Sequence, residues 1–223
     1  MTKSLVILGA CGVSRDTYWV VRESYPETKV VFVSDLMEED SIDMAGDSVP
    51  VVRDWDFSRL RQACGDPNSF KEFVCGMGYP NIKRVMVEKA LGHGLRPAPT
   101  LISHLALVRP SVRIGVGGVI QPRSTLLTDI DIGDFVLVHG ATYGHDVRVG
   151  NYVSSMPYSC LGGYVTLGDG VFQGIGAVVK HRTRVAPWVI IGTNASVVKD
   201  IDEEAITVAG TPARRLTKGS AAT

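Results

Sequence analysis

Histidine beside an acid is the arrangement in this chain with the clearest chemical use. His145 is followed directly by Asp146, and His139 stands six residues earlier, all within the segment VHGATYGHDVRVG. An imidazole can take a proton from an amine or hydroxyl near neutral pH, and an adjoining carboxylate can orient the ring and stabilise the imidazolium. The same pair on an ordinary surface corner would be a solvated turn, so its meaning depends on the elements that hold it. The four cysteines, Cys11, Cys64, Cys75 and Cys160, form no CxxC pair or finger-like spacing. Neither a disulfide framework nor a zinc site is expected, and reduced cysteines of a cytoplasmic protein are.

The elements around this segment are set by a period of six. Aliphatic residues recur at Val108, Ile114, Ile120, Leu126, Ile132 and Val138, then after a slip at Val149, Leu161, Leu167, Val179, Val185, Ile191 and Val197. Ser155 and Gln173 break the second series. Small or β-branched residues follow four places later, among them Val136, Val153, Val165 and Ala177, and glycine often follows the aliphatic directly, as at Gly133, Gly150 and Gly168. Each hexapeptide reads as one face of a triangular coil. The aliphatic points inward, the small residue eases the corner, and glycine serves unusual turn angles or the close approach of stacked coils. The fold expected from about Leu105 to Ile201 is therefore an all-β, left-handed parallel β-helix. A β-sandwich is the weaker alternative, because so regular a period is hard to obtain from irregular loops.

The slip locates the candidate chemistry. Val138 and Val149 are eleven residues apart rather than twelve, so one corner is a residue short, and Tyr143 is the expected inward occupant. A regular wall offers no special side chain, whereas a defect can present one.

The first half has a different rhythm. SLVILGA and KVVFVSD read as buried strands and EFVCGMG as a third; TYWVVRESY, SRLRQAC and PNIKRVMVEKALGHG read as helices, the last opening at Pro80 and stopping at its glycines. That alternation predicts a small α/β domain with a parallel, Rossmann-type sheet over 1–103, followed by the β-helix and its C-terminal cap over 104–223. The N-terminal apolar run is too short for a signal peptide or membrane span. With 23 Lys+Arg against 23 Asp+Glu, no global attraction to nucleic acid or to an anionic membrane is expected. A small neutral molecule, or an anion gripped locally, is the better fit.

The order of these parts, ILGACG, the repeats from Val108, GHDVRVG and GTPARRL, resembles the bacterial sugar acyltransferases of the sialic acid O-acetyltransferase group and their bacillosamine-pathway N-acetyltransferase relatives. The resemblance spans nearly the whole chain. It implies direct acetyl transfer from acetyl-CoA to a sugar-type acceptor, expected to be a nucleotide-linked amino sugar, with His145 as general base and Asp146 orienting it. It also implies a homotrimer with CoA in the groove between prisms, no metal, a Gly163 N–H facing the thioester carbonyl, and Ile175, Gly192 and the GTPARR loop bordering the CoA arm. Arg214 and Arg215 could meet CoA phosphates or be a solvated basic terminus. On the acceptor side the resemblance points to the turn of Gly9, Gly12 and Val13, to Asp35 and to His139. Two departures fall there: relatives often carry a histidine where Val13 stands, and an Asn-Thr pair where His139-Gly140 stands.

Two rivals use the same residues differently. A zinc-dependent hydratase of this fold would gather His139, His145 and His181, although the order of a close pair before a single histidine is the reverse of that pattern. A non-catalytic β-helix binding a nucleotide or a protein would have no use for a base at His145.

Overall fold

The structure, a computed structural model, describes residues 4–59 and 69–216. The expected helix SRLRQAC lies outside the described residues from Leu60 onward, as does Cys64; Phe57–Arg59 form a short 3-10 turn. No helix among the described residues is long and apolar enough to cross a membrane.

The N-terminal part is a six-stranded sheet built from β1 (Ser4–Leu8), β2 (Lys29–Val33), β3 (Ser41–Met44), β4 (Asp47–Val52), β5 (Glu72–Cys75) and β6 (Arg96–Pro97), in the order β3-β4-β2-β1-β5-β6. Its pairs are parallel except the β3–β4 hairpin. Helices α1 (Gly12–Ser24) and α2 (Pro80–Gly92) cover opposite faces. Leu5 and Ile7 of β1 pack with Tyr18 and Val21 of α1, while Val6 and Leu8 pack with Met86 and Val87 of α2. A strand buried on both faces reads as an unbroken aliphatic run, which is why SLVIL shows no alternation. With two described helices, and a hairpin carrying the chain into β4, the full strand-helix alternation expected of a Rossmann-type sheet is not displayed.

Helix α1 starts earlier than its sequence suggests and absorbs the turn CGVSRD. The buried Ser14 hydroxyl donates to the Gly76 carbonyl at 3.1 Å, a tether to β5 that no local signal announces.

From Leu101 the chain coils as a left-handed parallel β-helix of two-residue strands, one stack per face. The first face runs from Leu101–Ile102 through Val119–Ile120, Leu137–Val138, Ser154–Ser155 and Phe172–Gln173 to Ile190–Ile191, capped by Thr207–Ala209 and the antiparallel Arg214–Arg215. The second stacks Leu107–Val108, Thr125–Leu126, Thr142–Tyr143, Cys160–Leu161, Val178–Val179 and Ser196–Val197. The third stacks Arg113–Ile114, Asp131–Ile132, Arg148–Val149, Thr166–Leu167 and Arg184–Val185. The second residue of each pair points inward, so the aliphatic grid is the core. Coiling begins at Leu101, one strand ahead of the expected Leu105.

The corner glycines do one of the two jobs expected of them. Gly150 and its equivalents lack a positive φ, but a Cβ on Gly150 would lie 2.7 Å from the Asp169 amide in the next coil, so close stacking is what requires glycine. The left-handed position comes two residues later and is held mostly by larger residues, including Asp146, Tyr152, Tyr158 and Tyr164. The short corner is His139–Gly140–Ala141, between the first and second faces, and Tyr143 beyond it is fully buried as expected.

The two breaks in the grid, Ser155 and Gln173, carry on from Tyr143 as one buried polar ladder. The Tyr143 and Ser155 hydroxyls lie 2.7 Å apart, Ser155 donates to Gln173 Oε1 at 3.0 Å, and the Gln173 amide donates to the Cys160 and Ala177 carbonyls at 3.1 and 2.9 Å. Polar groups inside the prism are thus satisfied by one another and by backbone.

The N-terminal part sits on the first face. Leu101, Val119 and Leu137 join the α1 core, Gln121 Nε2 donates to Thr17 Oγ1 at 3.2 Å, and Tyr79 stacks on Phe172 at 5.4 Å. Lys83 of α2 is fully buried in this contact, donating to Ser154 Oγ at 2.8 Å and to the Val153 carbonyl at 3.1 Å. Burial with no carboxylate beside it pushes its ammonium down to about 7.

Candidate active site

His145 projects from the corner between the second and third faces. Its backbone is fixed from both sides: the Tyr164 N–H donates to the His145 carbonyl at 3.0 Å, and the Asp146 N–H donates to the Thr128 carbonyl at 3.0 Å. Asp146 takes the left-handed corner position, φ +57°, and its carboxylate lies 2.8 Å from His145 Nδ1. That contact leaves Nδ1 protonated and Nε2 free to accept a proton when the ring is neutral. Tyr164 meets the imidazole edge-on, with centroids 5.1 Å apart, and Arg182 lies over the Tyr164 ring at 5.0 Å.

Gly163 lies one coil above His145. A Cβ there would fall 2.7 Å from both Cε1 and Nε2 of the imidazole, so the ring rests against the glycine backbone with no room for a side chain. The Gly163 carbonyl accepts from the Arg182 N–H, while its own N–H donates to no acceptor among the described residues. A base and an uncommitted backbone donor therefore share one corner, the pair of groups that acyl transfer needs.

The remaining expected donor residues lie elsewhere. Ile175, half exposed, and Gly192 occupy the first corner, between the first and second faces, and Gly192 packs under Ala209 of the cap. Arg215 pairs with Glu203 at 2.6 Å, and Arg214 donates to the Ala213 carbonyl. In a single chain the second face separates these residues from His145 and Gly163.

The expected acceptor residues lie in the N-terminal part, except His139, which shares the first corner with Ile175 and Gly192. Gly9, φ +89°, is pinned under Met77 and Ser14, where a Cβ would collide with Met77 Sδ. Gly12 opens α1 with free space around it, and Val13 packs half-buried in the α1 core. Asp35 at the end of β2 is paired with Lys89 Nζ at 2.9 Å. His139 sits on the first corner, where its Nδ1 is buried without a partner; burial lowers its tendency to protonate, and Asp16 partly opposes this.

Sequence reasoning missed Tyr164 and Lys83. Tyr164 had a signal in the recurrence of tyrosine every six residues at 152, 158 and 164; Lys83 had none. The three histidines of the hydratase pattern do not converge. His139 is on a different corner from His145 and His181, and the latter two are two coils apart, about 9–10 Å at ordinary strand spacing. Among the described residues no group of three His, Cys, Asp or Glu could hold a metal ion.

No protein-family model matches the chain. GDP-perosamine N-acetyltransferase of Escherichia coli O157:H7 is 32% identical over 152 residues, covering 66% of this chain and 68% of that protein. The crystal structure of a His-to-Asn variant of perosamine N-acetyltransferase from Caulobacter crescentus, in complex with CoA and GDP-perosamine, superposes with a TM-score of 0.81 at 27% identity, over 96% of this chain and 97% of that one. The acetyltransferase domain of PglB from Neisseria gonorrhoeae, in complex with acetyl coenzyme A, gives 0.81 at 27% identity, over 97% and 100%.

Proposed function

Because the chain belongs to the hexapeptide-repeat sugar N-acetyltransferase family that includes GDP-perosamine N-acetyltransferase, we propose that it transfers acetyl from acetyl-CoA to an amine of a nucleotide-linked amino sugar. The observation that carries the reading is the corner where Asp146 holds His145 Nδ1 at 2.8 Å and the imidazole rests on Gly163. The acceptor nitrogen attacks the thioester carbonyl, and His145 Nε2 takes the proton it sheds. The carbonyl oxygen gains negative charge, which the Gly163 N–H stabilises. As the C–S bond breaks, the CoA thiolate leaves and is protonated from the His145 imidazolium. Asp146 keeps the tautomer that makes this possible.

The split of expected CoA residues between two corners is what supports the trimer. In a three-fold ring of prisms the first corner of one chain, with Ile175, Gly192 and the cap carrying Arg214 and Arg215, meets the second corner of its neighbour, with His145 and Gly163. The second face between them carries the neutral outward column Leu107, Thr125, Thr142, Cys160, Val178 and Ser196. We read the N-terminal part, to about residue 103, as the Rossmann-like acceptor-binding domain, with the Gly9–Val13 turn and Asp35 on the nucleotide side. An acetyl-CoA donor, an intracellular metabolite, fits a cytoplasmic setting.

The deciding experiment is a thiol-release assay with acetyl-CoA against GDP-, UDP- and dTDP-linked amino sugars. Wild-type protein is expected to release CoA with at least one of them. The variant His145→Ala is expected to lose about 10²–10⁴-fold in kcat with little change in acetyl-CoA affinity. Turnover of the variant within a few-fold of wild type would show that His145 is not the base, whereas no CoA release by the wild type with any of these sugars would leave a non-catalytic binding protein as the better reading.

A further inference from the structure

Ser155 and Gln173, the two residues that break the aliphatic grid, belong to the same two dipeptides on which α2 docks. In Ser154–Ser155 and Phe172–Gln173 the first residue faces the N-terminal part and the second faces the core. Outside, Lys83 donates to Ser154 Oγ and Tyr79 stacks on Phe172. Inside, Ser155 and Gln173 continue the ladder from Tyr143. Aliphatic residues would fill both inward sites without any demand for partners. That the exceptions coincide with the docking points gives them a role a plain core could not serve.

The ladder has one direction. Ser155 has a single hydroxyl proton and spends it on Gln173 Oε1 at 3.0 Å, so Tyr143 is the donor in the 2.7 Å contact. Burial raises the Tyr143 phenol well above its ordinary range and keeps that proton in place. The Gln173 amide closes the ladder on the Cys160 and Ala177 carbonyls. Both ends meet strands that lead into the reacting corner: Tyr143 stands two residues before His145, and Cys160 three before Gly163. The two strands also pair directly, with the Gly144 N–H donating to the Leu161 carbonyl at 2.8 Å. A tyrosine reaching across the core therefore sets how far its strand stands from the first face, and with it the seat of His145 against Gly163.

The outer end is held as firmly. The Lys83 ammonium has three protons, and its acceptors are the Tyr152 carbonyl at 3.4 Å, the Val153 carbonyl at 3.1 Å and Ser154 Oγ at 2.8 Å. These are three consecutive residues ending beside Ser155. Helix α2 itself follows the end of β5, where a Cβ on Gly9 would strike Met77 and where the Gly76 carbonyl accepts from Ser14. An unbroken run of contacts thus joins the Gly9 turn, through α2, to His145.

We infer that Lys83, Ser155 and Tyr143 are positioning residues of one brace, which holds His145 opposite Gly163 and makes that alignment depend on how α2 is seated on the prism. Its consequence for turnover rests on the acetyl-transfer reading; its effect on the place of the imidazole does not.

A double-mutant cycle distinguishes coupling from mere contact. Tyr143→Phe, Lys83→Met and the two combined are assayed for thiol release with whichever nucleotide-linked amino sugar the wild type accepts. Arg84→Gln is the control, since it removes a contact of α2 with the Trp188 ring, 4.6 Å away, that lies outside the brace. Each single variant is expected to lose about tenfold in kcat with the acetyl-CoA and acceptor KM within twofold of wild type. The double variant is expected to be within twofold of the slower single one, and Arg84→Gln within twofold of wild type. Where Lys83→Met does not fold, Ser154→Ala takes its place. A kcat within twofold of wild type in both single variants overturns the inference, as do losses that multiply in the double variant. A raised acceptor KM with unchanged kcat also overturns it, since α2 would then seat the acceptor alone. The Cε1–H resonance of His145, assigned by its loss in His145→Ala, is followed in the same proteins; the Tyr164 ring, 5.1 Å away, makes it sensitive to small displacements. If the wild type turns over no sugar, the acetyl-transfer reading fails and this resonance decides the brace. Movement in both single variants but not in Arg84→Gln supports it, and an unmoved resonance overturns it.

Discussion

One methyl group separates Gly163 from alanine, and it would land on the edge of His145 that must accept the proton. The His145 side chain is about half exposed and can swing outward, so the substitution has an escape that costs little stability. Gly163→Ala is therefore expected to lower kcat at least tenfold with a Tm within a degree or two of wild type; unchanged turnover would show that the ring does not work from this position. Lys83 is a second residue whose environment sets a measurable property. Its ammonium titrates near 10.5 in an unfolded chain and about 7 in the fold, so between those values the unfolded chain binds more protons. Stability accordingly rises as pH climbs above 7, and below 7 the cost of burying the charge is fully present. Between pH 7 and 9 the gain from this group is about 2 kcal/mol. Above that range Cys75, pushed up by burial to about 11, acts with the opposite sign. Urea unfolding at pH 7 and 9 is expected to lose that increment in Lys83→Met, and an identical pH slope in both proteins would refute it. His145 and Asp146 were legible in the sequence because they are adjacent and sit near a break in a period. Lys83 was not, since a lysine on an amphipathic helix reads as solvated until the first face of the prism is placed over it.

At the level of elements the period of six revealed the stacked faces, and the inward aliphatics followed it. Its exceptions were the unread part. Ser155 and Gln173 looked like interruptions because their value lies in neighbours one coil away and in Tyr143 across the corner. Gln173→Leu restores the aliphatic pattern but leaves the Cys160 and Ala177 carbonyls and the Ser155 hydroxyl short of a partner. It is expected to destabilise the protein by about 1–3 kcal/mol, the net worth of the buried hydrogen bonds lost, although Ala177 keeps the Cys160 N–H and Ser155 keeps Tyr143, measured by denaturant unfolding; a stabilised variant would mean that the ladder is dispensable. The early start of α1 was equally hidden, because the Ser14 tether to Gly76 crosses from helix to strand. The glycine pattern was read correctly for close approach and incorrectly for backbone angle, since composition alone does not reveal which corner residue turns left-handed.

For the whole molecule, the outward residues of the three faces divide the surface. The first face is apolar and lies under the N-terminal part, with Leu101, Val119 and Leu137 buried. The third carries Arg113, Asp131, Arg148 and Arg184, with Arg148 Nε 2.8 Å from Asp131 and Arg184 Nη2 2.9 Å from Asp200, a column suited to water. The second is neutral and has no covering element among the described residues. Val178→Asp on that face is expected to shift the protein to monomer in light scattering and to abolish thiol release, whereas Thr166→Asp on the third face leaves both intact; an unshifted mass for Val178→Asp would remove the second face as the contact. The stacking also governs how such a chain can change length. His145 and Gly163 are eighteen residues apart, one full coil. An inserted or deleted residue within that stretch would slide base and amide out of alignment unless a corner absorbed it, as the corner at Gly140 has absorbed a missing one. An entire extra coil placed below Thr125 would lengthen the prism and leave the reacting corner untouched. Viable length variants of this protein should therefore come in steps of eighteen, or of one residue confined to a corner.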